Sequence, residues 1–456
     1  MRAAQNLPVL LYPYNTPACR FQHHQLAAEL RALGQQAEVL LDPLPTRAKT
    51  GLAKSPQDFP TFAALAQGVL AACGSDEVLA RGALDEFLRK CPVESFFNRF
   101  VLTAEFLDSV SGAKRAASSL ITNYSGLVVA DGAYLKNRAL ISAALKAGKP
   151  VQVFNPDGNW RPVTRHVNEI TPRFDIHELI NAVTDGSPRL AAAEKYLAAR
   201  FAGTADDFDS QAAFANSTPA TKELPRKKVL FLHCVRDANQ VPLEHPAVGH
   251  SAFTSFFEWA DFSLAEIAKS PDQWKVKLHP GAKFYAGEEE IQSGLLRKHA
   301  IPIELTEECP PTSFILANRW PVYTHSGTII LEAAASGYRG NACSTTYPQE
   351  FAQIAQTRED WRDQMTKPAE TAGELIEDSR VVDAAKVWLC ENLDPDEPLL
   401  MPRRPQPDRT SEAKFFRSQI SQELSLMARY LRSRSRKRLR EVALEFQKAV
   451  NVSQPG

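Results

Sequence analysis

The sequence predicts an α/β fold in two domains with a helical tail behind them, and three observations carry that expectation. Strand-like apolar runs alternate with helical stretches near the start of the chain and again from residue 229 onward. Between the two series lies a polar stretch rich in small residues, AGTADDFDSQAAFANSTPATKELPRKK, with the composition of a linker. Three strand-like runs of the second series each end in a histidine: VLFLH at His233, WKVKLH at His279 and PVYTH at His325.

Pro8 to Tyr12 reads as a first buried strand, Gln22 to Leu33 as an amphipathic helix ended by Gly34, and Ala37 to Leu41 as a second strand. A mostly helical stretch follows from about Phe59 to Ser119. The alternation resumes with a strand at Gly126 to Ala130, a helix at Asn137 to Lys146 ended by Gly148, and a strand at Val151 to Phe154. Strand alternating with helix implies a parallel sheet covered on both faces. After the linker come Val229 to Cys234, a helix near Ser255 to Lys269, Lys275 to His279, a helix near Glu288 to Lys298, Pro302 to Leu305, Pro321 to His325 and a helix from Thr328 to Ser336. The expected division is therefore a Rossmann-like domain over 1–201 with a helical insertion, a linker over 202–228, a second Rossmann-like domain over 229–395 and a basic helical tail over 396–456. The two domains are expected to face a central cleft.

Composition narrows the function classes. A chain of 456 residues exceeds one ordinary core, and 44% hydrophobic with 23% charged residues is the balance of a soluble globular protein. No run approaches the roughly 20 apolar residues of a membrane span, and Pro13 breaks the short apolar stretch at the N-terminus, so a cytoplasmic location is expected. The seven cysteines are scattered without a C-x-x-C pair, which argues against a disulfide framework and a structural zinc site. With 53 basic and 53 acidic residues no general polyanion affinity follows, and no nucleic-acid partner is expected. No G-x-G-x-x-G or G-x-x-x-x-G-K-[ST] motif points to a dinucleotide or ATP.

The carboxyl ends of parallel strands form the rim where ligands bind, so three histidines at three such ends are expected to face one crevice. His325 is followed by Ser326-Gly327-Thr328 and a helix carrying Glu332. A helix start offers unpaired N–H groups, and a Ser-Gly-Thr entry lets an anionic oxygen approach the backbone, which suits a nucleotide phosphate. The bland alternatives are a capped helix with rim histidines, or a three-histidine zinc site. Asp237 and Asn239 could contact donor or acceptor at the first strand mouth, or form an Asx turn. The D-x-D matches, Asp207-Phe208-Asp209 and Asp394-Pro395-Asp396, read as solvated polar residues, and Trp259, Trp274 and Trp320 as core.

From HCVRDANQ through WKVKLHPGAKFY to PVYTHSGTIILEAAASGYRGNACSTTYPQEF, about Leu230 to Phe351, the chain resembles the nucleotide-binding half of capsule and surface-polysaccharide glycosyltransferases of the GT-B fold, a group that includes transferases of 3-deoxy-manno-octulosonic acid (Kdo) using a CMP-activated sugar. The shared marks are the aspartate-asparagine turn, Lys277-x-His279-Pro280, the Gly327-Thr328-x-x-x-Glu332 helix and Tyr347-x-x-x-Phe351. VVADGAYLKNRALISAALKAGKP is similar to the segment where such enzymes keep an acidic-glycine pair, and Asp131 matches the base. The resemblance implies that His279 binds or protonates the departing phosphate, that Lys277, His325, Ser326, Gly327 and Thr328 line the donor site, and that Glu332 holds a ribose hydroxyl or the nucleobase, with His233, Asp237 and Asn239 as further contacts. Thr324-His325-Ser326 and Gly337-Tyr338-Arg339 depart from the family pattern and leave the donor open.

A carboxylate to take the acceptor proton, with imidazole and backbone donors for the leaving phosphate, forms a sufficient set without a divalent metal. The expected activity is transfer from a nucleotide-sugar donor, CMP-Kdo as first choice, to a glycan or glycolipid acceptor, with inversion if Asp131 acts as base; no cofactor beyond the donor is expected. A sugar-nucleotide epimerase or hydrolase and a silent polysaccharide-binding subunit are the competing readings. From Thr410 to Gly456 ten Lys or Arg face four Glu, and Leu424, Met427, Leu431, Leu439, Val442 and Phe446 recur at helical spacing. Such a basic amphipathic tail can dock on anionic lipid at the inner face of the cytoplasmic membrane, pack on the protein or stay solvated.

Overall fold

The computed structural model describes residues 7–13, 17–40, 44, 56–130, 134–154, 160–163, 176–183, 187–204, 214, 224–236, 252–253, 255–279, 282, 285–344, 347–371 and 373–393. The basic tail, most of the linker and both D-x-D matches lie outside them. The described residues of 1–90 and 100–170 form one compact unit, and those of 91–99 and 171–394 form another.

In the first unit, β1 (Val9–Tyr12), α1 (Pro17–Ala32) and β2 (Ala37–Val39) are the β-α-β start that the sequence predicts. Its sheet runs β2-β1-β5-β6-β7, with β5 at Gly126–Ala130, β6 at Val151–Phe154 and β7 at Trp160–Val163. The first four strands are parallel, and β7 adds antiparallel to β6. Val9, Leu10 and Leu11 are fully buried, as an interior parallel strand covered on both faces requires. Leu26, Ala27 and Leu30 of α1 pack on Val9, Leu11 and Val128. Gly34 and Gly148 follow their helices at φ +84° and +66°, the left-handed conformation that lets a helix end and the next strand turn back.

The helical stretch over 59–119 divides into α2 (Phe62–Ala72), α3 (Glu77–Lys90) and α4 (Ala104–Ile121), but it is not all helical. Gln57–Phe59 (β3) and Phe100–Leu102 (β4) pair antiparallel across it. Neither QDF nor FVL alternates in the sequence, and here aromatic contacts hold the pair: Phe100 meets Phe62 and Phe87 edge-on at 6.1 and 6.2 Å. Residues 91–99, between α3 and β4, group with the second unit. There Phe96 and Phe97 meet Phe257 at 5.5 and 5.7 Å, and Arg236 Nη2 donates to the Cys91 carbonyl at 2.8 Å.

The second sheet is entirely parallel, in the order β12-β11-β10-β8-β9. Its strands are Lys228–Phe231, Trp274–Lys277, Val322–Thr324, Gly340–Ala342 and Ala352–Ile354, β8 to β12 in chain order. Trp259, Trp274 and Trp320 are buried as core residues. Pro302 to Leu305, read as extended, instead leads into a helical turn at Glu304–Glu307. Ile301 and Leu305 are buried while Ile303 is 60% exposed, and the pair at i and i+4 is the spacing of one helix face. The described residues of 171–201, a stretch assigned by sequence to the first domain, pack with the second unit. Helices α6 (Ile176–Ala182) and α7 (Pro188–Phe201) share one core with Ser379–Leu393 at the end of the described chain, through Leu179, Leu190, Ala193, Leu197, Val387 and Leu389. Among the described residues no helix is long and apolar enough to cross a membrane.

Gly82 sits inside α3 where α5 (Leu135–Lys146) crosses it, and a Cβ there would lie 2.6 Å from the Arg138 Cβ and 3.0 Å from the Leu135 Cα. Backbone cannot yield as a flexible side-chain end can. Gly82→Ala is expected to lower stability by about 1–3 kcal/mol despite alanine's better helix propensity, which a denaturant titration of the variant against the parent measures.

Candidate functional site

The site begins with strand order. β8 lies between β9 and β10, so the chain leaves β8 toward one side of the sheet and returns through β10 on the other, leaving a topological switch point at their carboxyl ends. β9 is an edge strand, with Trp274 and Val276 buried and Lys275 and Lys277 partly exposed; β10 is interior, and Val322, Tyr323 and Thr324 are all buried. Leu232 N–H donates to the Lys277 carbonyl at 2.9 Å, carrying the ladder on toward the rim where His233 and His279 stand.

The three predicted histidines do gather. The ring of His233 lies 6.0 Å from that of His279, nearly parallel at 23°, and 6.3 Å from that of His325, almost perpendicular at 86°. Helix α8 (Phe256–Ile267) closes the cluster from behind. Ser255 caps it, its Oγ accepting from Glu258 N–H at 3.1 Å, and the i, i+3 spacing then puts Phe256 and Trp259 on one face. Phe256 stacks on His233 at 4.2 Å and meets His325 edge-on at 4.6 Å, while Trp259 reaches both imidazoles at 5.9 and 6.0 Å.

Polar contacts divide the histidines. His233 Nε2 lies 3.0 Å from Thr324 Oγ1 and accepts from the Ser326 N–H at 3.3 Å. His325 is buried, with Nδ1 3.2 Å from Ser326 Oγ, and burial pushes its pKa down to about 3. His233 is held well below the usual histidine range, first by burial and then by the charges His279 and His325 would carry. His279 is partly exposed, and its Nδ1 stands 3.2 Å from the buried Cys234 thiol. Thr328 is exposed and its hydroxyl does not cap α12 (Ile329–Ala335). The N–H groups of Gly327 and Thr328 make no hydrogen bond to another described residue. Two backbone donors and two hydroxyls thus stand beside a partly exposed imidazole, a set able to hold an anionic oxygen.

The other expected residues that the structure describes are engaged by protein partners. Lys277 Nζ donates to the Pro310 carbonyl at 3.3 Å, and burial lowers its pKa while the charges of Cys309 and Glu332 oppose that. Lys275 is engaged by the Glu304 carbonyl and by Glu308. Glu332 is buried on α12, its Oε1 accepting from Arg200 Nε and Nη2 at 2.9 and 2.5 Å, so this carboxylate ties α12 to α7. Asp131, Asp237 and Asn239 lie outside the described residues. Ala130, which precedes Asp131, ends β5 beside β1, at the corresponding switch point of the first sheet. The described residues include no three His, Cys, Asp or Glu grouped to hold a metal ion.

Sequence reasoning passed over Glu288. It opens α9 (Glu288–Lys298), is fully buried, and accepts from the N–H groups of Val235 and Arg236 at 2.7 and 2.9 Å and from Gln292 Nε2 at 2.9 Å. Burial raises its pKa against the lowering effect of those bonds. Gln292 also donates to the His233 carbonyl at 3.2 Å, so α9 fixes the turn that follows β8. In the sequence the run Glu288-Glu289-Glu290 reads as an acidic first helical turn, and nothing in it marks the first glutamate as the one turned inward.

The fold defines a class alone, a mixed α/β protein with two largely parallel, Rossmann-like sheets. A scan against protein-family models and a search of curated proteins each return no match for this chain.

Glu332→Gln leaves Arg200 buried without its counter-charge, and a loss of about 3 kcal/mol in denaturant unfolding is expected. His233 and His325 also set an acid limb. Their folded pKa values lie below the unfolded 6.5, so the unfolded chain binds more protons in between. The stabilisation is complete above pH 6.5 and is lost as pH falls toward about 3. Between those limits His325 contributes a slope of about 1.4 kcal/mol per pH unit, and His325→Asn is expected to flatten the measured stability–pH curve by that amount.

Proposed function

We propose that the protein is a glycosyltransferase of GT-B architecture that moves a sugar from a nucleotide-activated donor to a surface or capsular polysaccharide, working in the cytoplasm, with CMP-Kdo as the donor the resemblance favours. The observation that supports this reading is that His279, 6.0 Å ring to ring from His233, and the Ser326-Gly327-Thr328 segment bonded to His233, in which the Gly327 and Thr328 N–H groups have no partner among the described residues, stand at the switch point between β8 and β10. Phosphate recognition at such a point needs donors that are already in place and a group that can carry charge as the phosphate leaves.

In the transfer, a base takes the acceptor hydroxyl's proton, the acceptor oxygen bonds to the anomeric carbon, and the bond from that carbon to the phosphate oxygen breaks. The electron pair departs with the nucleotide. Asp131 is the base in this reading. His279, with the Cys234 thiol 3.2 Å from its Nδ1, stabilises the developing phosphate charge. Glu332 acts behind the site by holding α12 to α7, rather than on the ribose.

Thermal-shift titration against CMP, CDP, UDP, GDP and ADP tests the reading. Selective stabilisation by CMP is expected, about 2.7 kcal/mol at a hundredfold excess over Kd, and lost in His279→Ala. Asp131→Asn is expected to abolish transfer while keeping nucleotide affinity. Stabilisation by a different nucleotide replaces the donor, and no response to any of the five overturns the transferase reading in favour of a polysaccharide-binding subunit.

A further inference from the structure

Three rim histidines invite equal treatment as ligand contacts, yet the bonds of His233 differ in kind. Its Nε2 receives the Ser326 N–H at 3.3 Å. A backbone N–H can only donate, so Nε2 carries the lone pair and the ring proton sits on Nδ1. Thr324 Oγ1, 3.0 Å away, can turn its hydrogen toward Nε2 or toward the Phe231 carbonyl at 3.3 Å. Either way Nε2 stays bare.

The surroundings fit that ring. Phe256 stacks on it at 4.2 Å, and Gly327 lies against it: a Cβ at 327 would make ordinary contact with the imidazole, 3.4 Å from Nε2 and 3.5 Å from Cε1, but would press on Thr324 Oγ1 at 3.0 Å. Protonation at Nε2 would set two hydrogens against each other at the Ser326 amide. Gln292 holds the His233 carbonyl at 3.2 Å, so backbone and ring are both anchored.

We infer that His233 is a positioning residue, a neutral imidazole whose bare Nε2 fixes the Ser326-Gly327 turn, and that it does not touch the substrate. Its effect on a bound phosphate passes through the Ser326, Gly327 and Thr328 donors that it holds in place. The consequence for anion binding rests on the transferase reading; the geometry of the turn does not.

Three variants of the full chain test this. His233→Phe keeps an aromatic ring against Phe256 but removes the acceptor, whereas His233→Gln offers an amide oxygen near the position of Nε2. Spectra of 15N-histidine-labelled protein are expected to show one neutral histidine with Nδ1 protonated and Nε2 bare, missing in both variants. An Nε2-protonated or cationic His233 at neutral pH overturns the inference. Hydrogen exchange at the Ser326 amide is expected to quicken about tenfold in His233→Phe, the loss of one hydrogen bond, and to return toward the parent rate in His233→Gln. Unchanged exchange in a His233→Phe protein with the parent's melting temperature also overturns it. Gly327→Ala, which presses on the Thr324 hydroxyl and only touches the ring, is expected to quicken Ser326 exchange less than His233→Phe does, and exchange as fast as in His233→Phe would count against His233 as the anchor of the turn. CMP affinity is read in the same proteins: a loss of about tenfold in His233→Phe with rescue by His233→Gln is expected. If CMP fails to bind the parent, the donor reading falls, while tautomer and exchange still decide the role of His233.

Discussion

Two neighbouring parallel strands whose connections leave the sheet in opposite directions cannot have both carboxyl ends covered by the same helix, and the rim of the second unit is built around the gap this leaves beside β8 and β10. Backbone N–H groups at such a gap are unpaired unless something polar reaches them. Here the group that reaches in is the His233 imidazole, and its geometry requires several other features. A neutral ring with a bare Nε2 meets the Ser326 N–H while Phe256 supports its face and the Thr324 hydroxyl lies 3.0 Å from the same nitrogen. Gln292 and Glu288 must hold the turn that presents it.

The same economy runs through the buried charges. Isolated, a charge is costly in the interior, and in three cases in the second unit it is met by two or more partners. Glu288 receives two backbone N–H groups and an amide; Arg200 and Glu332 pair across two helices; Lys228 donates to the Met365 and Lys367 carbonyls at 2.6 and 3.1 Å and lies over the Trp274 ring. All three join segments distant in the chain. They act as fasteners between elements, leaving the partly exposed His279 and Thr328 to meet solvent at the rim.

Much of this was legible in the sequence where a pattern is long or local. Apolar runs such as VLLY and KVLF announce buried strands because both faces of a parallel sheet are covered, and Gly34 and Gly148 end their helices where a left-handed residue is needed. The three rim histidines were legible because each stands one or two residues past a strand. The β3–β4 pair, β11 and β12 were not: none of these three-residue strands shows an alternation of its own. Nor was the turn at Glu304–Glu307, where a proline and two apolar residues mimic a strand until burial separates Ile303 from Leu305.

By itself the sequence determined the alternation of strand and helix, the parallel sheets that follow from it, and the placing of His233, His279 and His325 at strand ends, because these depend on neighbours a few residues away. Tertiary structure alone decided what each polar group is for. Glu332 looks like a ligand-facing carboxylate until Arg200, 132 residues distant, occupies it, and His233 looks like a ligand-facing imidazole until Ser326 does. Glu288 looks like surface charge until the β8 turn closes over it. A side chain's role is set by the partner that satisfies its hydrogen-bonding groups, and for a buried group that partner comes from a remote part of the chain that only the packed fold brings near.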